Sequence, residues 1–174
     1  GYILRFSNWV INYDKLLSYS VLLMSFSLSA EELKKYQPNR YPFLMIDRVI
    51  SVLPGKYAKG YKNLTNNEWY FPKHFVGHPN MPGALQLEAM AQMLTVAITT
   101  LDGLEGKATH ALEHNVKFKK EVIPGDRLDI STEVISWKRG IAIGRAICTV
   151  DNVEVSSANM KITIPEILTS FLPK

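Results

Sequence analysis

Two side chains able to trade protons, His74 and Glu88, stand on either side of a Pro82-Gly83 joint in the stretch HFVGHPNMPGALQLEAMAQM, residues 74–93. An imidazole and a carboxyl group form a ready acid–base pair. Pro79 and Pro82 keep the first half of the stretch out of helix. Pro82 also suits a first helical position, where its missing N–H costs nothing. From Gly83 onward the residues are nearly all apolar, through Ile98. A helix that is apolar all round is a buried one. Glu88 would then be a carboxylate inside a core, which is costly unless it is paired or hydrogen-bonded. Gln92 falls on the same helical face at i+4 and is placed to hold it. The N–H groups at the Gly83 end carry positive partial charge and lack intrahelical acceptors. They suit an oxygen that gains negative charge, such as a thioester carbonyl becoming an enolate. Base, acid and oxyanion donor together fit proton abstraction beside a carbonyl, coupled to loss or gain of a hydroxyl.

Other candidates for chemistry are weaker. His78 lies four residues from His74, but Pro79 and Pro82 exclude a helical two-histidine metal face, so no metal is expected. The single cysteine, Cys148, lies in an apolar strand-like run and reads as a core residue. It allows no intrachain disulfide, which agrees with a reducing, cytoplasmic location.

The elements that must position this stretch follow from the rest of the chain. Residues 1–23 are apolar with few charges; the run from Leu16 to Leu28 is like a signal-peptide core but too short and serine-interrupted for a stable membrane span. Met24 is a plausible alternative start, and Ser29 with Glu32 forms a capping box for a short helix. Residues 1–23 are therefore read as an extension expected to pack against the same or a neighbouring subunit, and residues 24–174 as the domain. Strands are expected at 49–53, 56–64, 128–137, 141–150 and 153–164, with a further strand closing the 108–120 segment; turns fall at Pro54-Gly55, Pro124-Gly125, Arg139-Gly140 and Asp151-Asn152. Residues 65–72 form a loop that carries Trp69, Tyr70 and Phe71 up to His74. Five or six strands, mostly hairpin-connected and therefore antiparallel, would curl around the one long helix to bury it. The class is α+β.

A chain of 174 residues with 47% hydrophobic and 21% charged content is one ordinary globular domain, not a disordered one. The net charge of +4 is scattered apart from Lys117, Lys119 and Lys120, which argues against nucleic-acid binding. Those lysines are a solvated strand edge or, with Arg48 and Arg127, a docking surface for an acidic partner.

Three segments in order carry a family resemblance. They are RYPFLMIDRV at 40–49, the His74–Gln92 run and VKFKKEVIPGDRL at 116–128. Each resembles a motif of the 3-hydroxyacyl-acyl carrier protein dehydratases of the FabZ type, over about residues 30–164. The resemblance implies a hot-dog fold, with an antiparallel sheet wrapped around a central helix. It implies a homodimer, often a trimer of dimers, in which His74 of one chain faces Glu88 of the other. The implied substrate is a 3-hydroxyacyl chain on the phosphopantetheine arm of acyl carrier protein, with no bound cofactor. His74 would take the C2 proton, Glu88 would protonate the departing hydroxyl and the Gly83 amide would polarise the thioester carbonyl. Glu88, where related isomerising enzymes have Asp, favours the non-isomerising type. The chain departs from the family at Lys73, at Val76 where Pro is usual, and at Asn39 where His is frequent. The segment 109–114, THALEH, is more polar than an acyl tunnel would suggest. Two alternatives stand beside it: a hot-dog acyl thioesterase, which would share Glu88 on the helix although the His74–Glu88 combination favours dehydration, and a non-catalytic protein that keeps the fold and binds acyl carrier protein.

Overall fold

The computed structural model describes residues 3–6, 9–12 and 24–173. Its strands are β1 (Ile3–Phe6), β2 (Trp9–Asn12), β3 (Phe26–Leu28), β4 (Arg48–Leu53), β5 (Tyr57–Asn63), β6 (His110–Phe118), β7 (Arg127–Lys138), β8 (Ile141–Val150) and β9 (Val153–Thr163). The helices are α1 (Ala30–Leu33), α2 (Gly83–Thr99) and α3 (Pro165–Thr169). β1 and β2 pair with each other as a separate antiparallel ribbon. Apart from that ribbon, the expected packing of residues 1–23 lies outside the described residues. No helix among the described residues is long and apolar enough to cross a membrane.

The seven remaining strands form one antiparallel sheet in the order β3-β4-β5-β7-β8-β9-β6. Tight hairpins build its middle. Arg139 and Gly140 take φ of 50° and 80°, and Asp151 and Asn152 take 49° and 64°. Two successive positive φ values give the turn whose twist matches that of the strands. α2 packs against the concave side, against β4 to β9. Met90, Met93, Leu94, Val96 and Ile98 are buried there with Val49, Val52, Leu128, Ile130, Cys148 and Met160. Burial of side chains of this size contributes about 1.5–3 kcal/mol each. Sheet and helix approach so closely that a Cβ at Gly144 would lie 2.6 Å from Leu94 Cδ1. This is the hot-dog arrangement expected of the sequence.

Several expectations need correction. The main sheet has seven strands, because β3, only three residues long, is too short to show alternation. Pro165 starts a short helix instead of merely ending β9; it occupies the first turn of α3, where its fixed φ fits. Pro82 is the N-cap of α2, not its first residue. β7 does not alternate to its end: a register shift between Val134 and Ser136 leaves Ser136 exposed and turns Trp137 partly inward. Finally, α2 is not buried on all sides. Ala84, Leu87, Glu88 and Ala91 form an incompletely covered stripe along its first turns.

The segment before β4 and the loop after β5 are tied together by a buried cation. Lys62 Nζ pairs with Glu68 at 2.9 Å and Asp47 at 3.5 Å, and donates to the Asn63 carbonyl at 2.8 Å. Trp69 Nε1 donates to the Pro42 carbonyl. These bonds fix the two loops that carry the candidate site.

Candidate active site

Glu88 lies on the open stripe of α2. Its Oε1 accepts from Gln92 Nε2 at 2.7 Å and from Asn39 Nδ2 at 3.1 Å. Gln92, 2% exposed, is itself pinned: its Oε1 accepts from the Met45 N–H at 2.8 Å, and its Nε2 also donates to the Phe43 carbonyl. A backbone N–H can only donate, so this pairing fixes which end of the amide faces Glu88. Asn39 is held in turn by Arg40, whose guanidinium donates to the carbonyls of Gln37, Asn39 and Lys34. With both donors on Oε1, a proton on the neutral acid belongs on Oε2. Glu88 borders a cavity of about 440 Å³ between α2, the Gln37–Asn39 turn and the start of β6.

His74 is positioned by backbone. Its Nδ1 lies 3.0 Å from the Asn80 carbonyl, and the Asn80 N–H donates to the His74 carbonyl at 2.8 Å. A carbonyl only accepts, so Nδ1 carries the hydrogen and Nε2 of the neutral ring presents a lone pair. The loop closes further through reciprocal bonds between Phe75 and His78, and through His74 N–H to the Tyr70 carbonyl. The His74 ring stacks on Phe75 at 4.2 Å, and the peptide between them is cis. Val76, 90% exposed, takes no part in this closure. His78 Nε2 meets the Glu121 carboxylate at 3.0 Å, tying the loop to the β6–β7 connection.

Gly83 opens α2 directly under the Phe118 ring; a Cβ there would lie 2.7 Å from Phe118 Cζ. Gly83 lines a second cavity, of about 480 Å³, with Asn80, Phe118, Lys119, Lys120 and Glu121. One chain therefore brings Glu88 and Gln92 together, and brings Lys119 and Lys120 to Gly83. It does not join His74 to Glu88: among the described residues they share no hydrogen bond, and His74 lines neither cavity.

The other sequence candidates have their own engagements. Lys119 pairs with Glu154 at 2.8 Å. That ammonium, with Ser157, holds the Glu154 carboxyl below the usual carboxylate range. Arg127 pairs with Asp129 and lies over the Tyr61 ring. Lys117 lies on the outer face of the sheet beside Arg145 and Glu154. Burial pushes the Cys148 thiol up to about 12, so it stays protonated in the core. Sequence reasoning missed Asn39 and Arg40 as supports of Glu88, and the Asn80 carbonyl as the partner of His74. Asn39 carried a signal, its departure from His; a carbonyl carries none.

Residues 37–159 match the family model described as a FabA-like domain, and the chain belongs to that family. Within it, the chain is 44% identical over 126 residues to the 3-hydroxyacyl-acyl-carrier-protein dehydratase FabZ of Clostridium novyi (strain NT), covering 72% of this chain and 89% of that one. It is 42% identical over 139 residues to the enzyme of the same name from Clostridium acetobutylicum, covering 79% and 99%. Among solved structures, the dehydratase heterocomplex ApeI:P from Xenorhabdus doucetiae has the same fold, with a TM-score of 0.68 at 15% identity, over 82% of this chain and 97% of that one.

Proposed function

We propose that the protein dehydrates 3-hydroxyacyl thioesters of acyl carrier protein to trans-2-enoyl thioesters and water, in fatty acid or related acyl-chain synthesis. The observation that carries this reading is the Glu88 carboxyl, gripped on one oxygen and, among the described residues, without a hydrogen-bond partner on the other, at the wall of a cavity beside a helix start. The thioester carbonyl binds at the Gly83 amide, where the helix end favours the developing enolate. His74 Nε2 takes the C2 proton. The electron pair of the C2–H bond becomes the C2–C3 π bond, the C3–O bond breaks, and Glu88 Oε2–H protonates the departing hydroxyl to water. A proton passed from the imidazolium to the carboxylate restores both groups. The substrate brings its own phosphopantetheine arm, and no further cofactor or metal enters the scheme.

His74 and Glu88 meet across a homodimer in this proposal. β6 is an edge strand with one side unpaired among the described residues, and the open stripe of α2 lies on the same cavity. An unpaired edge is a template for another strand, and two-fold pairing of β6 with its counterpart would bring each loop toward the other chain's Glu88. Dimers of this kind can associate further into a trimer of dimers. Lys119 and Lys120, beside the Gly83 cavity, are the better placed of the basic residues to meet an acidic carrier protein, with Lys117 and Arg127 at its margin. Residues 24–174 form the catalytic domain and residues 1–23 an apolar extension, in a cytoplasmic enzyme.

Purified protein supplied with a 3-hydroxyacyl carrier protein should form the enoyl product, and His74→Ala or Glu88→Gln should abolish this. Release of free thiol without enoyl formation would instead identify a thioesterase. Carrier binding with no change in the acyl group would identify a binding protein.

A further inference from the structure

The cavity beside Glu88 has a polar far wall. Ala84, Glu88, Ala91 and Thr95 recur at helical spacing along one face of α2, and all four line it. Thr95 stands two turns beyond Glu88, about 10 Å along the axis. There its Oγ1 meets the Thr109 Oγ1 at 2.7 Å. His110 and His114 of β6 line the same wall. His114 Nδ1 is buried with no hydrogen-bond partner among the described residues. Ala108 and Ala111 leave room beside them.

A saturated chain lying along this face would cover the two hydroxyls and offer nothing to them or to the already buried His114 Nδ1. Buried polar groups left without partners are costly. A chain with a hydroxyl or keto group at that depth would satisfy them. The Thr95–Thr109 pair uses one hydroxyl hydrogen internally and leaves the other to donate, and His114 Nδ1 can donate or accept according to tautomer.

Building on the dehydratase reading above, we infer that Thr95, Thr109 and His114 select 3-hydroxyacyl thioesters whose chain carries a second hydrogen-bonding group remote from the thioester. Glu88 handles the C3 hydroxyl, and the Thr–His wall reads the distal oxygen.

The test supplies the full chain with three substrates on one carrier protein: 3-hydroxybutyryl, 3-hydroxydecanoyl and 3,9-dihydroxydecanoyl thioesters. The expected result is a kcat/KM at least about tenfold higher for the dihydroxy chain than for the saturated chain of equal length, since sites built to bond a hydroxyl reject analogues lacking it. His114→Leu should shift that ratio toward the saturated chain, and the nearly isosteric Thr109→Val should shift it in the same direction. Equal turnover of the two long chains, or a ratio unmoved by both variants, would overturn the inference while leaving the dehydratase reading intact. Turnover of none of the three would overturn both.

Discussion

Glu88 sits on a packed helix and is gripped by side chains, whereas His74 sits in a loop and is gripped by backbone. Behind Glu88 stands a chain of side-chain contacts, from Gln92 and Asn39 to Arg40 and the Phe43–Met45 segment. Behind His74 stand the carbonyls of Tyr70 and Asn80 and the amide of Asn80. The difference teaches where each half tolerates change. Side-chain substitutions should damage the Glu88 half, while the His74 half should respond mainly to changes in the path of its loop.

The largest expected effect comes from the two groups themselves. His74→Ala and Glu88→Gln should each lower kcat by about 10²–10⁴-fold, the range of a lost general acid or base, as measured by enoyl formation. Equal and small losses would break the comparison at its root. Next is Gln92→Leu, which removes a donor from Glu88 and leaves the Met45 N–H without its acceptor. It should cost about 1–3 kcal/mol of stability for the orphaned group, read from denaturant unfolding, and lower kcat as well. Asn39→Ala should be milder. It removes one hydrogen bond of about 1 kcal/mol, so kcat should fall severalfold with little change in unfolding midpoint. The smallest effect is expected at Val76→Pro. Residue 76 takes no part in loop closure, so activity should stay within about threefold, since a proline compatible with the backbone acts mainly on the unfolded chain. A large gain there would mean that the backbone bonds do not hold His74 by themselves.

The fold was legible where local pattern specifies local structure. The apolar run after Pro82-Gly83 marked α2, and the Arg139-Gly140 and Asp151-Asn152 turns marked the β7-β8-β9 hairpins. The position of β6 was not, because its partner is β9 rather than the next strand, and no local pattern encodes that choice. The open stripe of α2 was hidden for a related reason: Ala84, Leu87 and Ala91 look like the buried residues around them. At the site, Gln92 was legible from i+4 spacing. Asn39 lies 49 residues from Glu88, so only tertiary structure joins them. The polarity of residues 109–114 was visible, but its place on the wall beyond Glu88 was not.

The central claim is that two chains complete one site. Co-expressing a His74→Ala chain with a Glu88→Gln chain tests it directly. If His74 of one chain serves Glu88 of the other, each mixed dimer regains one intact site. Random pairing should then restore about a quarter of wild-type activity, half of the sites in half of the dimers. Activity no higher than that of either variant alone would contradict the claim and place the working pair within one chain.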